Sequence, residues 1–203
     1  GFDPIGNSTA SFTGNFDGSG YTISNLTIDR SSEDNVGLFG FAEINAEITN
    51  TSLEDANVTG SNYVGALAGT NYGTVTNSFA AVNLTGANEI GGLVGALSKG
   101  GDVNMSYATG KVIGHENVGG LIGTTLREIS DTPGNVRASY ATSDVTGKSN
   151  VGGLLGGNAG PVTGSNATGA VAGKSNVGGL AGSNAYWGII TLSNASGTVT
   201  VRD

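Results

Sequence analysis

Apolar residues recur along this chain in short alternations and never in long runs. SFAAVNLTG at 78–86 and SYATGKVIG at 106–114 are typical, each bounded by Gly, Asn or Ser. Alternation over so few residues predicts half-buried β-strands. Val, Thr, Tyr and Ile are frequent and only three prolines occur. One stretch, TTLREIS at 124–130, has helical character.

The alternations repeat. NVGGLIG at 117–123 returns as NVGLFG at 35–40, YVGALAG at 63–69, IGGLVG at 90–95, NVGGLLG at 150–156 and NVGGLAG at 176–182. The closing glycines, Gly40, Gly69, Gly95, Gly123, Gly156 and Gly182, are spaced by 29, 26, 28, 33 and 26 residues. A period in the twenties is the mark of a solenoid. Between the copies lies a second motif, SYATSDVTG at 139–147 and SNATGAVAG at 165–173 being further examples. The prediction is an all-β parallel solenoid of six to seven coils of 26–33 residues, with one small insertion at 124–134. Parallel crossovers favour the right hand.

Parity adds detail, because strands alternate faces with period two. Val103, Met105 and Tyr107 fall on one face, and Ser106, Ala108, Gly110 and Val112 on the other. Val118 and Leu121 differ by three, so a straight strand cannot point both inward. Gly119–Gly120 is therefore expected to be a corner, with glycine supplying the backbone angles. Ala108, Ala141 and Ala167 suit a narrow interior.

Composition sharpens the class. Glycine supplies 37 of 203 residues, charged residues only 12%, and cysteine is absent. The net charge is −8 with no basic stripe, which disfavours nucleic acid as a partner. No apolar run reaches bilayer-spanning length, so direct membrane insertion is not expected. The chain begins at Gly1, consistent with a processed form or a piece of a longer surface protein.

GLFG at 37–40, GLVG at 92–95, GLIG at 120–123, GLLG at 153–156 and GLAG at 179–182 resemble the GLUG-motif repeat family. The copy at 63–69 departs, with Ala66 before Leu67. FTGNFDGSGYTISNLTID at 12–29 is similar to the segment that commonly begins such arrays. The resemblance covers nearly the whole chain. It implies one domain over 1–203, with a lead-in coil at 1–34 and repeats at 35–203. It also implies a secreted or cell-surface adhesin-like repeat region of a bacterium or archaeon. Some relatives accompany IgA-cleaving metallopeptidases, but HExxH is absent here.

Chemistry is sparse. The sole histidine, His115, reads as a solvated loop residue between motifs. Asp102, Asp131, Asp144, Lys111 and Arg137 are scattered and form no repeat-consistent cluster. FDGSG at 16–20 reads as a tight turn, since calcium sites want more carboxylates. No catalytic residue, metal site or cofactor is assigned, and the chain is not expected to be an enzyme. Asn35, Asn117, Asn150 and Asn176 precede the V-G step, while Asn71, Asn158 and Asn184 follow the corner. Asparagine tolerates left-handed geometry, and in stacked coils it forms side-chain ladders. Glycosylation sequons begin at Asn7, Asn25, Asn50, Asn57, Asn83, Asn104, Asn166 and Asn194.

Two surfaces are candidates for a ligand. Phe79, Tyr107 and Tyr140 share one repeat position, preceded by Leu53 and followed by Asn166 and Asn194. Facing inward the row is core, the favoured reading; facing outward it is a stacking platform for sugars. Thr109, Thr142, Thr168 and Ser196, then Thr59, Thr85, Thr146 and Thr200, form two outward columns, interrupted by Lys111, Asp144 and Ile113. The leading expectation is a non-catalytic stalk or adhesive module. It would meet a surface glycan or protein of a host or neighbouring cell, or other copies of itself as fibres. A carbohydrate-binding or carbohydrate-active β-helix and an ice-binding solenoid are the alternatives. Function should then lie in positions that vary between copies, such as 107, 111, 144 and 124–134.

Overall fold

The computed structural model describes residues 1–126 and 132–203. The alternating segments are short strands, each paired in parallel with the segment one repeat away. One coil shows the plan. Asp102–Asn104, Tyr107–Ile113, Glu116–Gly119 and Ile122–Thr125 follow one another onto four different sheets, here called faces 1 to 4. Among the described residues face 1 has seven strands, face 3 five and face 4 six. Face 2 has eleven, because some of its levels are split into two short strands. The fold is an all-β parallel solenoid.

Each face turns alternate side chains into one shared core. In this coil Val103, Ala108, Val112, Val118, Leu121 and Ile122 are all fully buried. Ala108, Ala141 and Ala167 stack on the inner side of face 2, as parity requires. The lead-in packs on the first repeat, with Phe12 and Phe16 lying 4.8 Å and 5.4 Å from the buried Phe39 ring.

Val118 and Leu121 both point inward; Gly119 ends the face 3 strand, and Gly120–Leu121 links it to the face 4 strand. The reason differs from the expected one. Neither glycine takes a positive φ. What they supply is space: a Cβ on Gly120 would collide with the Gly153 carbonyl of the next coil and come to 3.0 Å of the Ala141 Cβ. The left-handed residue is the asparagine before the valine. Asn35, Asn117, Asn150 and Asn176 have φ of 59°, 53°, 51° and 52°. In the two copies without asparagine, Tyr63 and Glu89 adopt the same angle, at 55° and 56°.

The corner from face 1 to face 2 is equally regular. Its first residue is left-handed in successive coils, as Asn50, Asn77, Met105, Ala138, Gly164 and Leu192. Its second is a buried hydroxyl. The backbone N–H of Thr51, Ser78, Ser106, Ser139 and Ser165 donates to the hydroxyl of the next coil at 3.1–3.3 Å. That hydroxyl in turn donates to the carbonyl two residues before it, as Ser106 does to Asn104 at 2.8 Å. This corner resets the parity. Met105 therefore does not share a face with Val103: Val103 is fully buried and Met105 is exposed.

Coil length varies in two places. The connection from face 4 to face 1 is two residues long at 72–73 and 159–160, four at 43–46 and 98–101, and nine at 126–134. One bulge, at Asp55 (φ 52°), adds a residue to the strand Ser52–Thr59. Together these account for every repeat spacing. The insertion thus lies in the face 4 to face 1 connection. Thr124 and Thr125, assigned helical character above, are strand residues of face 4; 127–131 lie outside the described residues.

Candidate functional site

The outer surface of face 2 carries the aromatic row. Its register aligns Thr22, Ser52, Phe79, Tyr107, Tyr140, Asn166 and Asn194 in one column. Leu53 is not in it: Leu53 pairs with Ala80 and is fully buried. The aromatic row faces outward, against the favoured core reading. Ala80, Ala108 and Ala141 occupy the inward positions next in sequence, so the rings must take the other side.

The rings form a stack. Phe79 and Tyr107 have centroids 4.3 Å apart, and Tyr107 and Tyr140 4.6 Å apart with planes 7° from parallel. Burial raises the Tyr140 phenol above its ordinary value, and the neighbouring Tyr107 adds to the shift. An open depression of about 490 Å³ runs beside Phe79 and Tyr107, bounded by the Ser19–Gly20 turn, Asn50, Ser52 and Asn77.

The amides form ladders along the rod. Asn77 Nδ2 donates to Asn50 Oδ1 at 2.7 Å, and Asn50 Nδ2 donates to Asp17 Oδ1 at 2.9 Å. The hydrogen bond from Asn50, with one from the Ser19 N–H, holds the Asp17 carboxyl below its ordinary pKa. On face 3, Asn176 donates to Asn150, Asn150 to Asn117, and Asn117 to Glu89. Asn158 Nδ2 donates to Asn184 Oδ1, while Asn71 Nδ2 donates to the Gly73 carbonyl and leaves its own buried Oδ1 without a partner among the described residues. FDGSG is a turn, with Ser19 and Gly20 left-handed.

Residues that looked scattered are partly assembled. Arg137 Nε lies 3.6 Å from Asp102 Oδ1 on face 1, and burial still raises the Asp102 carboxyl despite this cation. Lys111 and Asp144 are register partners on face 2, where Asn83 also aligns with Lys111. Asp131 lies outside the described residues. Among the described residues no three His, Cys, Asp or Glu side chains are grouped to hold a metal. His115 is exposed, and its backbone carbonyl accepts from Lys148 and Ser149. The second threonine column reads Thr59, Thr85, Ile113, Thr146, Ala172 and Thr200, so small and apolar residues break it. None of the eight sequon asparagines is fully buried, and Asn57 and Asn83 are exposed neighbours on face 2. The buried serine column was the signal missed: its Ser recurs before every Y/N-A pair, yet reads as a turn residue.

Stacked parallel coils with laddered corners and a variable outer face define a repeat module of the β-solenoid class. Residues 173–200 match the model of the family described as the GLUG motif, so that segment carries a GLUG motif. It is 52% identical over 80 residues to halomucin of Haloquadratum walsbyi, a match covering 38% of this chain and 1% of that protein. It is 38% identical over 80 residues to a protein of Evansella cellulosilytica described as a Gly-rich membrane protein, covering 38% of this chain and 9% of that one. The chain thus matches only a small part of each relative's length. Its fold resembles a Bacteroides ovatus chain described as an immunoglobulin A1 protease candidate. The TM-score is 0.67 at 16% identity, over 93% of this chain and 68% of the other. At that identity the likeness speaks for the fold alone.

Proposed function

We propose that this chain is a non-catalytic extracellular module of a surface protein, serving as a rigid stalk with an adhesive face. The observation that carries the reading is the continuous outward column of face 2 from Thr22 to Asn194, which gives a stiff rod with one variable outer surface. The GLUG motif and the names of the two relatives support a surface setting. A net charge of −8 argues against nucleic acid as the partner. No helix among the described residues is long and apolar enough to cross a membrane. The partners proposed are a glycan or protein on a host or neighbouring cell, or further copies of the chain.

Antibodies raised against the solenoid should label intact source cells, and brief protease treatment of those cells should remove the label. Labelling only after lysis would sink the surface reading. Beads coated with the solenoid should adhere to cells more than beads coated with an unrelated protein of equal charge. Equal adhesion would remove the adhesive half and leave the stalk.

A further inference from the structure

We propose that the notch beside Phe79 binds a neutral pyranose ring, stacked on the aromatic column as its next member. The rings of Phe79, Tyr107 and Tyr140 stack at 4.3 and 4.6 Å, with planes 28° and 7° apart, so they lie face to face along the rod axis. Tyr107 covers one face of Phe79. On the other side the column continues as Ser52 and then Thr22, whose side chains are small. The uncovered face of Phe79 therefore looks into a space one to two strand spacings high, each about 4.8 Å. The depression of about 490 Å³ takes in that space and extends along the row as far as Tyr107. A pyranose presents a flat patch of C–H groups that stacks on an aromatic face.

The walls supply what the hydroxyls of a sugar need. Asn50 and Asn77 are fixed by their ladder to Asp17, so their rotamers are set before a ligand arrives. The Asn77 Oδ1, the second Asp17 oxygen and the Ser19 and Ser52 hydroxyls accept or donate nothing among the described residues. An aromatic side chain from a protein partner would use the stacking face but leave these groups unmatched, which is unfavourable on desolvation. The Asp17 carboxylate and the overall negative charge disfavour an anionic sugar. The inference deepens the adhesive half of the proposed function. Surface labelling and bead adhesion test that reading without reference to sugars, so the two can fail separately.

The test is a titration of the isotopically labelled full chain with gluco-, manno-, galacto- and N-acetylglucosamine oligosaccharides, read by NMR. Polygalacturonate and an aromatic dipeptide serve as rival probes. At least one neutral series should shift the Phe79 and Tyr107 ring resonances. Ser52→Tyr, which fills the notch, should weaken that binding at least about tenfold. Phe79→Ala should do the same by removing the platform, and Tyr140→Ala, at the far end of the stack, should leave it unchanged. Thermal unfolding checks that each variant is folded. Shifts with none of the neutral sugars, binding only to a rival probe, or wild-type binding by both Ser52→Tyr and Phe79→Ala would overturn the proposal.

Discussion

Asparagine 117 and its equivalents sit at φ near 50°, a region that costs most side chains about 1–2 kcal/mol. Where the chain places another residue there, that cost is unrelieved. Met105 at the face 1 corner is the cleanest case, since it is 54% exposed and gives up little packing. Met105→Asn relieves the backbone and extends the Asn77–Asn50–Asp17 ladder by one rung. It should stabilise the fold by about 1 kcal/mol, read as a higher denaturant midpoint at unchanged slope. An unchanged or lower midpoint would count against the backbone account. Glu89 adds a charge to the same kind of position. Burial raises its carboxyl above the ordinary value, outweighing the hydrogen bond from Asn117. The folded state thus keeps this proton to higher pH than the unfolded chain does. That contribution is complete below the unfolded pKa of about 4.3 and is lost as pH rises through the folded value. Glu89→Gln carries no such charge, so its stability relative to wild type should improve between about pH 4 and pH 7. A pH-independent difference would exclude this assignment.

At the scale of elements, two columns hold the coils in register. The glycine column lets each backbone approach the next: carbonyls of neighbouring coils occupy the place of a side chain at Gly92, Gly120 and Gly153. The hydroxyl column satisfies backbone N–H groups buried at a corner, where no strand ladder reaches them. Ser106→Ala strips the acceptor from the Ser78 N–H and should cost about 1–3 kcal/mol, the range for a buried donor left unpaired. Exchange of the Ser78 amide should accelerate more than that of Ala80 in the adjoining strand, whereas equal acceleration would mean a global effect. The sequence was readable here as far as parity held. Ala108 and Val112 announced the inner side of face 2, and Val118 with Leu121 announced a corner. Parity failed at Met105–Ser106, because a two-residue corner shifts the phase and its first residue varies freely from Asn to Met, Ala and Leu. The outward aromatic row was misplaced for a related reason. Aromatics favour cores, but a core only one alanine deep on that side has no room for them.

For the whole molecule, the repeat period disclosed the solenoid, and the irregular spacings disclosed its tolerant edge once the connections were known. The notch beside Phe79 was not legible, since it depends on Ser52 rather than Leu53 preceding the rings, a register set by the Asp55 bulge. Parallel pairing has a mechanical consequence. The interstrand hydrogen bonds run along the rod, so a load applied between its ends pulls on them end-on and peels the outermost coil before its neighbour is strained. Each 26-residue coil should release about 90 Å of contour as it comes free. Single-molecule stretching should show a ladder of separate extensions at modest force, the 33-residue coil releasing about 115 Å, and one all-at-once rupture would refute it. Such a rod yields by degrees, dissipating work when tugged and rewinding when released.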